Sequence, residues 1–192
     1  MDNIANQATL LYNNMTTNSN TVTTQILSLY DLTATKEALL DTYTPNQTIT
    51  YVTRVENTGS ASLYNLTVVD DLAKGLTQYV DNSVEGYLNG TPIEVNVQIT
   101  NNTVIFTIDN VINPNDNVLI IFETTTPTTR PDVLTNTQTI TANGGSTTGP
   151  IVAVTPNPSA TVTLANYVSL DITKSANKAS IYSGDTLVYT FQ

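Results

Sequence analysis

Leu32-Thr33-Ala34-Thr35-Lys36 is answered far along the chain by Leu170-Asp171-Ile172-Thr173-Lys174, and the two segments align without a gap. The match runs on to pair Thr48, Ile49 and Tyr51 with Thr186, Leu187 and Tyr189, and the sequence ends at Gln192. A second repeat joins the other end. Ile4-Ala5-Asn6-Gln7-Ala8-Thr9-Leu10 resembles Leu134-Thr135-Asn136-Thr137-Gln138-Thr139-Ile140, and Ser19 to Thr23 resembles Ser159 to Thr163. The chain therefore reads as the tail of one repeat over residues 1–28, a complete domain over 29–166 and the head of a third repeat over 167–192. The repeated segments alternate apolar and polar positions and are rich in β-branched and aromatic residues, the period of a strand.

Composition supports an all-β reading. Charged residues make up 11% of the 192, and Thr and Asn fill many polar positions, a mixture that favours strands joined by turns. The net charge of -10 with six Lys and Arg argues against nucleic acid as a partner, because neutralising phosphates needs clustered cations. Without Cys, neither disulfides nor thiolate metal sites are available, and without His the commonest general base and metal ligand are missing. Catalytic turnover would rest on carboxylates, hydroxyls and four lysines, which argues against an enzyme and implies no cofactor. No apolar run is long enough for membrane insertion as a helix, and Met1-Asp2-Asn3-Ile4 lacks the basic and apolar regions of a secretory signal.

Strands are expected over residues 4–12, 20–27, 32–36, 47–56, 62–69 and 93–99, and again over 104–108, 118–125, 134–142, 160–165, 168–173 and 186–191. Asn89-Gly90 and Asn101-Asn102 lie between such runs as two-residue hairpin turns, and Pro45 argues against a long helix over 39–73. Residues 142–150, rich in Gly, are expected as a loop, with 13–18 as its shorter counterpart. A sheet with one apolar face must be covered by another, so the expected architecture is an antiparallel β-sandwich. The terminal strand pairs have no core of their own and need partners.

The order of motifs resembles the conserved surface-repeat domain of bacteria, an Ig-like repeat of long cell-surface proteins. A Lys-bearing first strand leads to a stretch such as Gly184-Asp185-Thr186-Leu187-Val188-Tyr189-Thr190, then to Val55-Glu56-Asn57-Thr58-Gly59. An Asp-containing turn follows in Val68-Val69-Asp70-Asp71-Leu72-Ala73-Lys74-Gly75-Leu76, and an Asn-bearing late strand in Asn136-Thr137-Gln138. Ala73 stands where the family usually has Pro, and Pro45-Asn46-Gln47 replaces the Gly-Asp of Gly184-Asp185. The resemblance implies an Ig-like fold and an extracellular structural role as a stalk or fibre.

Lys36 and Lys174 occupy equivalent places in the repeat. One reading makes them edge lysines that snorkel to water and discourage aggregation. The other comes from resemblance to isopeptide-bonded pilin and adhesin domains, whose first-strand Lys forms an amide with a late-strand Asn, assisted by a buried acid. That resemblance implies a bond from Lys36 to Asn136 within the domain, and from Lys174 to Asn6 between molecules. Asp70 is the first choice for the acid and Glu123 the alternative. Burial lowers the pKa of an amine and raises that of an acid, so neutral forms of both can coexist. The turn Asn113-Pro114-Asn115-Asp116-Asn117 lacks the spacing of a calcium loop and reads as a solvated turn.

The leading functional expectation is a structural subunit of a bacterial filament, such as a spore appendage or pilus-like fibre, polymerising with identical subunits by strand complementation at a cell or spore surface. The second is a monomeric adhesin or ligand-binding module of a longer repeat protein. A carboxylate-dependent glycosidase would need a facing acid pair, and nothing in the spacing of Asp and Glu suggests one.

Overall fold

The computed structural model describes residues 3–165 and 172–192, and the regular elements among them are strands. In chain order these begin with β1 (Asn3–Asn6), β2 (Thr9–Tyr12), β3 (Met15–Asn18), β4 (Val22–Gln25), β5 (Leu32–Ala38), β6 (Thr42–Tyr43), β7 (Thr48–Asn57), β8 (Leu63–Asp71), β9 (Gln78–Tyr79) and β10 (Glu85–Leu88). They continue with β11 (Thr91–Ile93), β12 (Asn96–Thr100), β13 (Thr103–Ile108), β14 (Asn117–Thr125), β15 (Val133–Gly144), β16 (Ile151–Ala153), β17 (Ser159–Leu164), β18 (Lys174–Ala176) and β19 (Tyr189–Phe191). One sheet has the order β11-β10-β14-β7-β5, with β9 also on β14. The other has the order β12-β13-β8-β15-β17-β6, with β16 also on β15. Their long pairs are antiparallel, and β17 meets β6 in a parallel contact of two residues.

Period-two alternation explains how the two sheets form one core. Ile49, Tyr51, Thr53 and Val55 of β7 point inward together, as do Val118, Ile120, Phe122 and Thr124 of β14. From the facing sheet come Val68 and Asp70 of β8 and Leu134, Asn136, Gln138, Ile140 and Ala142 of β15. The rings of Phe106 and Phe122 meet across the sandwich at 5.0 Å. Each large apolar side chain buried here contributes roughly 1.5–3 kcal/mol before entropy. Asn65 takes a positive φ of 51° where the β8–β15 register shifts, and this bulge keeps both Leu63 and Leu66 inside.

Asn89-Gly90 and Asn101-Asn102 turn where expected, with φ of 50° and 80°, and of 50° and 62°. Other boundaries differ from the expectation. The run 4–12 is split into β1 and β2, because three residues between β3 and β4 face two between β1 and β2. The counterpart loop over 13–18 is mostly strand β3, its turn reduced to Asn13 and Asn14 at φ of 47° and 60°. Within the Gly-rich stretch, β15 continues to Gly144, whose missing side chain makes room for the Tyr30 ring. A Cβ there would lie 2.6 Å from that ring. Short strands β6, β9, β10, β11 and β16 add to those expected or divide them. The expected strand 168–173 falls largely outside the described residues, and the described one begins at Lys174.

Beyond the sandwich, β1 pairs with β4 and β2 with β3 to form one long ribbon, and β18 pairs with β19. All six of these strands are exposed on both faces. Strand pairs thus flank the sandwich among the described residues, with their apolar side chains in water.

Candidate functional site

Lys36 lies on β5, at the edge of its sheet, yet only 6% of it is exposed. Leu32, Ala34, Lys36 and Ala38 share the inward face, so the strand period carries the ammonium into the core. The snorkelling reading therefore fails for Lys36. Opposite it, Asp70 comes from β8 and is fully buried, and β15 supplies Asn136 and Gln138 from its inward face.

These groups converge on one oxygen. Lys36 Nζ lies 2.7 Å from Asp70 Oδ2, Asn136 Nδ2 donates to the same oxygen at 3.2 Å, and Gln138 Nε2 donates to it at 2.9 Å. Thr53 Oγ1 donates to Gln138 Oε1 at 2.7 Å, fixing that amide from behind. The Lys36 nitrogen also sits 4.8 Å from the Tyr51 ring centre and 4.9 Å from that of Phe122. Burial lowers the Lys36 pKa from 10.5 to about 8, although the Asp70 charge and hydrogen bond act the other way. Tyr51 is pushed up to about 12 by burial and by the charge of Asp70, with Asn136 offsetting this in part. Its hydroxyl has no hydrogen-bond partner within contact distance.

Two buried oxygens in this cluster, Asp70 Oδ1 and Asn136 Oδ1, also lack a partner. Both are acceptors, and the groups that carry them are already joined by the Asn136 Nδ2 to Asp70 Oδ2 bond. A buried unsatisfied polar atom costs about 1–3 kcal/mol.

Three of the residues singled out in sequence, Lys36, Asp70 and Asn136, therefore meet in one place. Glu123 does not join them. It alternates with the buried Phe122 and Thr124, so its side chain points away from the core, and its role as alternative acid is corrected by the parity of β14. Sequence reasoning missed Gln138 and Thr53 as members of the cluster, although each lies two residues from a recognised inward position and period-two counting finds both. Lys174 is exposed, with its nitrogen 4.0 Å from the Tyr189 ring centre and 5.5 Å from that of Phe191. Asn6 is exposed on β1, opposite Val22. In the 113–117 turn both carboxylate oxygens of Asp116 accept N–H bonds, from Asn89 and Asn113, each at 2.7 Å.

No family model and no curated protein matches the chain. Solved structures do match. BcpA, the major pilin subunit of Bacillus cereus, aligns at 13% identity with a TM-score of 0.54, covering 83% of this chain and 47% of the pilin. A variant of the same pilin aligns at 12% identity with a TM-score of 0.57, over 97% of this chain and 60% of that one. Domains D2 and D3 of SpaD, the major pilin of Corynebacterium diphtheriae, give 15% identity and 0.54 over 79% and 57%. The fold is that of major-pilin domains. The chain spans about half the length of the first of these pilins.

Proposed function

We propose that the chain is a structural subunit of a bacterial extracellular fibre, built on a sandwich that closes itself with an amide between Lys36 and Asn136. The observation that carries this reading is the meeting of an amine, a carboxyl and a primary amide at one buried oxygen, with Nζ 2.7 Å and Nδ2 3.2 Å away. The proton passes from Lys36 Nζ to Asp70, leaving a neutral amine and a neutral acid, the forms a low dielectric prefers. The acid polarises the Asn136 carbonyl while Nζ attacks Cγ. The Cγ–Nδ2 bond then breaks, and ammonia leaves with the proton that the amine gives up. The product is one new amide, and Asp70 becomes a carboxylate again when the proton it took from Lys36 passes to the ammonia, which departs as ammonium. Fixed neighbours in a packed core supply the acceleration, and a single turnover suffices.

The pilin fold supports a place outside the cell, at a bacterial cell or spore surface, and a partner that is another copy of the same chain. Lys174 of one copy and Asn6 of the next hold the corresponding roles between subunits.

Intact mass tests the internal bond. The purified chain is expected to weigh less than its sequence mass by one ammonia, while Lys36→Ala, Asp70→Ala and Asn136→Ala each keep the full mass. A wild-type chain at full sequence mass overturns the reading.

A further inference from the structure

The C-terminal arm reproduces, bond by bond, the hairpin that opens the central sandwich. In that hairpin Lys36 pairs with Thr53 and Ala38 with Tyr51; in the arm Lys174 pairs with Phe191 and Ala176 with Tyr189. The repeat that carries Lys36 onto Lys174 carries every one of these partners onto its counterpart. The Leu39 N–H bond to Thr50 O, 2.9 Å, returns as Asn177 N–H to Val188 O, 3.0 Å. The turn is copied too. Thr44 N–H donates to the Gln47 side chain at 2.7 Å, and Tyr182 N–H to the Asp185 side chain at 3.1 Å. Asn46 and Gly184 hold the same positive-φ place, at 58° and 95°. Even the aromatic seat recurs, Lys174 lying over Tyr189 as Lys36 lies over Tyr51.

The N-terminal ribbon is laid out as the closing strands are. Strand β15 pairs with both β16 and β17, and residues 3–12 pair with both β3 and β4. Ile4, Asn6 and Leu10 stand at the places of Leu134, Asn136 and Ile140. Val22, rather than the Asn20 that the sequence alignment placed there, lies opposite Asn6, a shift of two residues that leaves the same side chains on the same face. That face is apolar and open to water, with Ile4 59%, Leu10 63%, Tyr12 71% and Met15 75% exposed. On the other arm Ile172 is 68% and Phe191 64% exposed.

Resting on the fibre reading above, we infer that the apolar face of the N-terminal ribbon is the seat for the C-terminal hairpin of a second copy of this chain, docked as the β5–β7 hairpin docks on β15 and β17. The central sandwich displays that fit, because β5 packs beside β17 and Lys36 reaches Asn136's neighbour Asp70 across the core. A second copy is favoured over the chain's own arm by where the arms leave the sandwich. Leu29 is held by Ser60, close to the Gly144 end of β15, where Gly145 N–H bonds Ser62 O. Leu164 and Ala165 are held by Asp132 and Tyr43, at the Val133 end. Strand β15 has 12 residues, so the two exits are about 40 Å apart at strand rise. A head-to-tail contact of this kind does not close on itself and so propagates.

Complementary variants test the joint, with sedimentation velocity at rising concentration as the readout. The wild-type chain is expected to form species that lengthen with concentration. Leu10→Asp, which spoils the seat, and Phe191→Asp, which spoils the hairpin, should each remain monomeric. Mixed in equal amounts they should give a dimer and nothing longer, since each supplies the half that the other lacks. A wild-type chain that stays monomeric, either variant growing as the wild type does, or a mixture that stays monomeric overturns the inference. Both substitutions lie outside the sandwich core, so intact mass of the monomeric variants still reports the Lys36–Asn136 bond, and failure of one reading is told from failure of the other.

Discussion

Taking an ammonium out of water costs several kcal/mol even after the protein relaxes, and Lys36 is tolerated because a carboxylate and two aromatic faces meet it. Desolvation still prevails and lowers its pKa to about 8 from 10.5. The folded state therefore holds this proton less tightly than the unfolded chain. Between those values the unfolded chain binds more protons, and the contribution of Lys36 to stability rises with pH. Tyr51 acts in the opposite sense above 10.0, since its folded pKa is raised to about 12. The Asn136→Ala variant, which keeps the ion pair and cannot close the bond, is expected to gain thermal stability as pH goes from about 8 to 10. Melting curves of that variant beside Lys36→Met check this, and a rise of equal size in Lys36→Met would assign the effect to another group.

At the scale of elements, the join between β7 and β8 shows how a short motif acquires meaning from its neighbours. Asn57 is buried, donates to the carbonyls of Ala61 and Ile112 at 3.0 and 2.9 Å, and accepts the Gly59 N–H at 3.0 Å. Gly59 is packed under the segment that leads into β5, where a Cβ would meet Leu29 O at 2.4 Å and Asp31 N at 2.8 Å. Gly59→Ala should force that segment away and cost about 1–3 kcal/mol, the range for overpacking. Urea unfolding together with faster amide exchange at Ser60, whose N–H bonds Leu29 O, is the measurement. An unchanged midpoint and unchanged exchange would show that the segment is not held there. In the sequence, Asn57-Thr58-Gly59 was legible only as a family likeness, because the atoms that make glycine necessary belong to a distant segment.

For the whole molecule, the proposed amide from Lys36 to Asn136 would tie the first strand of the sandwich to a late one and close a loop of roughly 100 residues. By the chain-entropy argument used for disulfides, such a link removes about 4–5 kcal/mol of unfolded-state freedom. The wild-type chain is accordingly expected to unfold at a clearly higher denaturant concentration than Asn136→Ala, with a smaller dependence on denaturant because the linked chain exposes less surface. Coincident unfolding curves would leave the link without a stabilising role. The same bond would join opposite sheets across the core, so tension on the chain ends would load it directly.

The sequence alone determined the strand class, the hairpins at Asn89-Gly90 and Asn101-Asn102 and the two repeats, since each follows from a local period, a turn residue or an internal likeness, whereas the pairing of Lys36 with Asn136 was implied only by a family resemblance. It left Asp70 and Glu123 open, because both lie on strands and sequence distance does not show which sheet a strand joins. Tertiary structure decided between them by parity: Asp70 falls on the inward face of β8 and Glu123 on the outward face of β14. It also decided that Gln138 and Thr53 complete the cluster, since that contact spans two sheets and residues far apart in the chain. The exit of the two arms from opposite ends of the sandwich likewise belongs to the packing, because it depends on the direction in which β15 crosses the core.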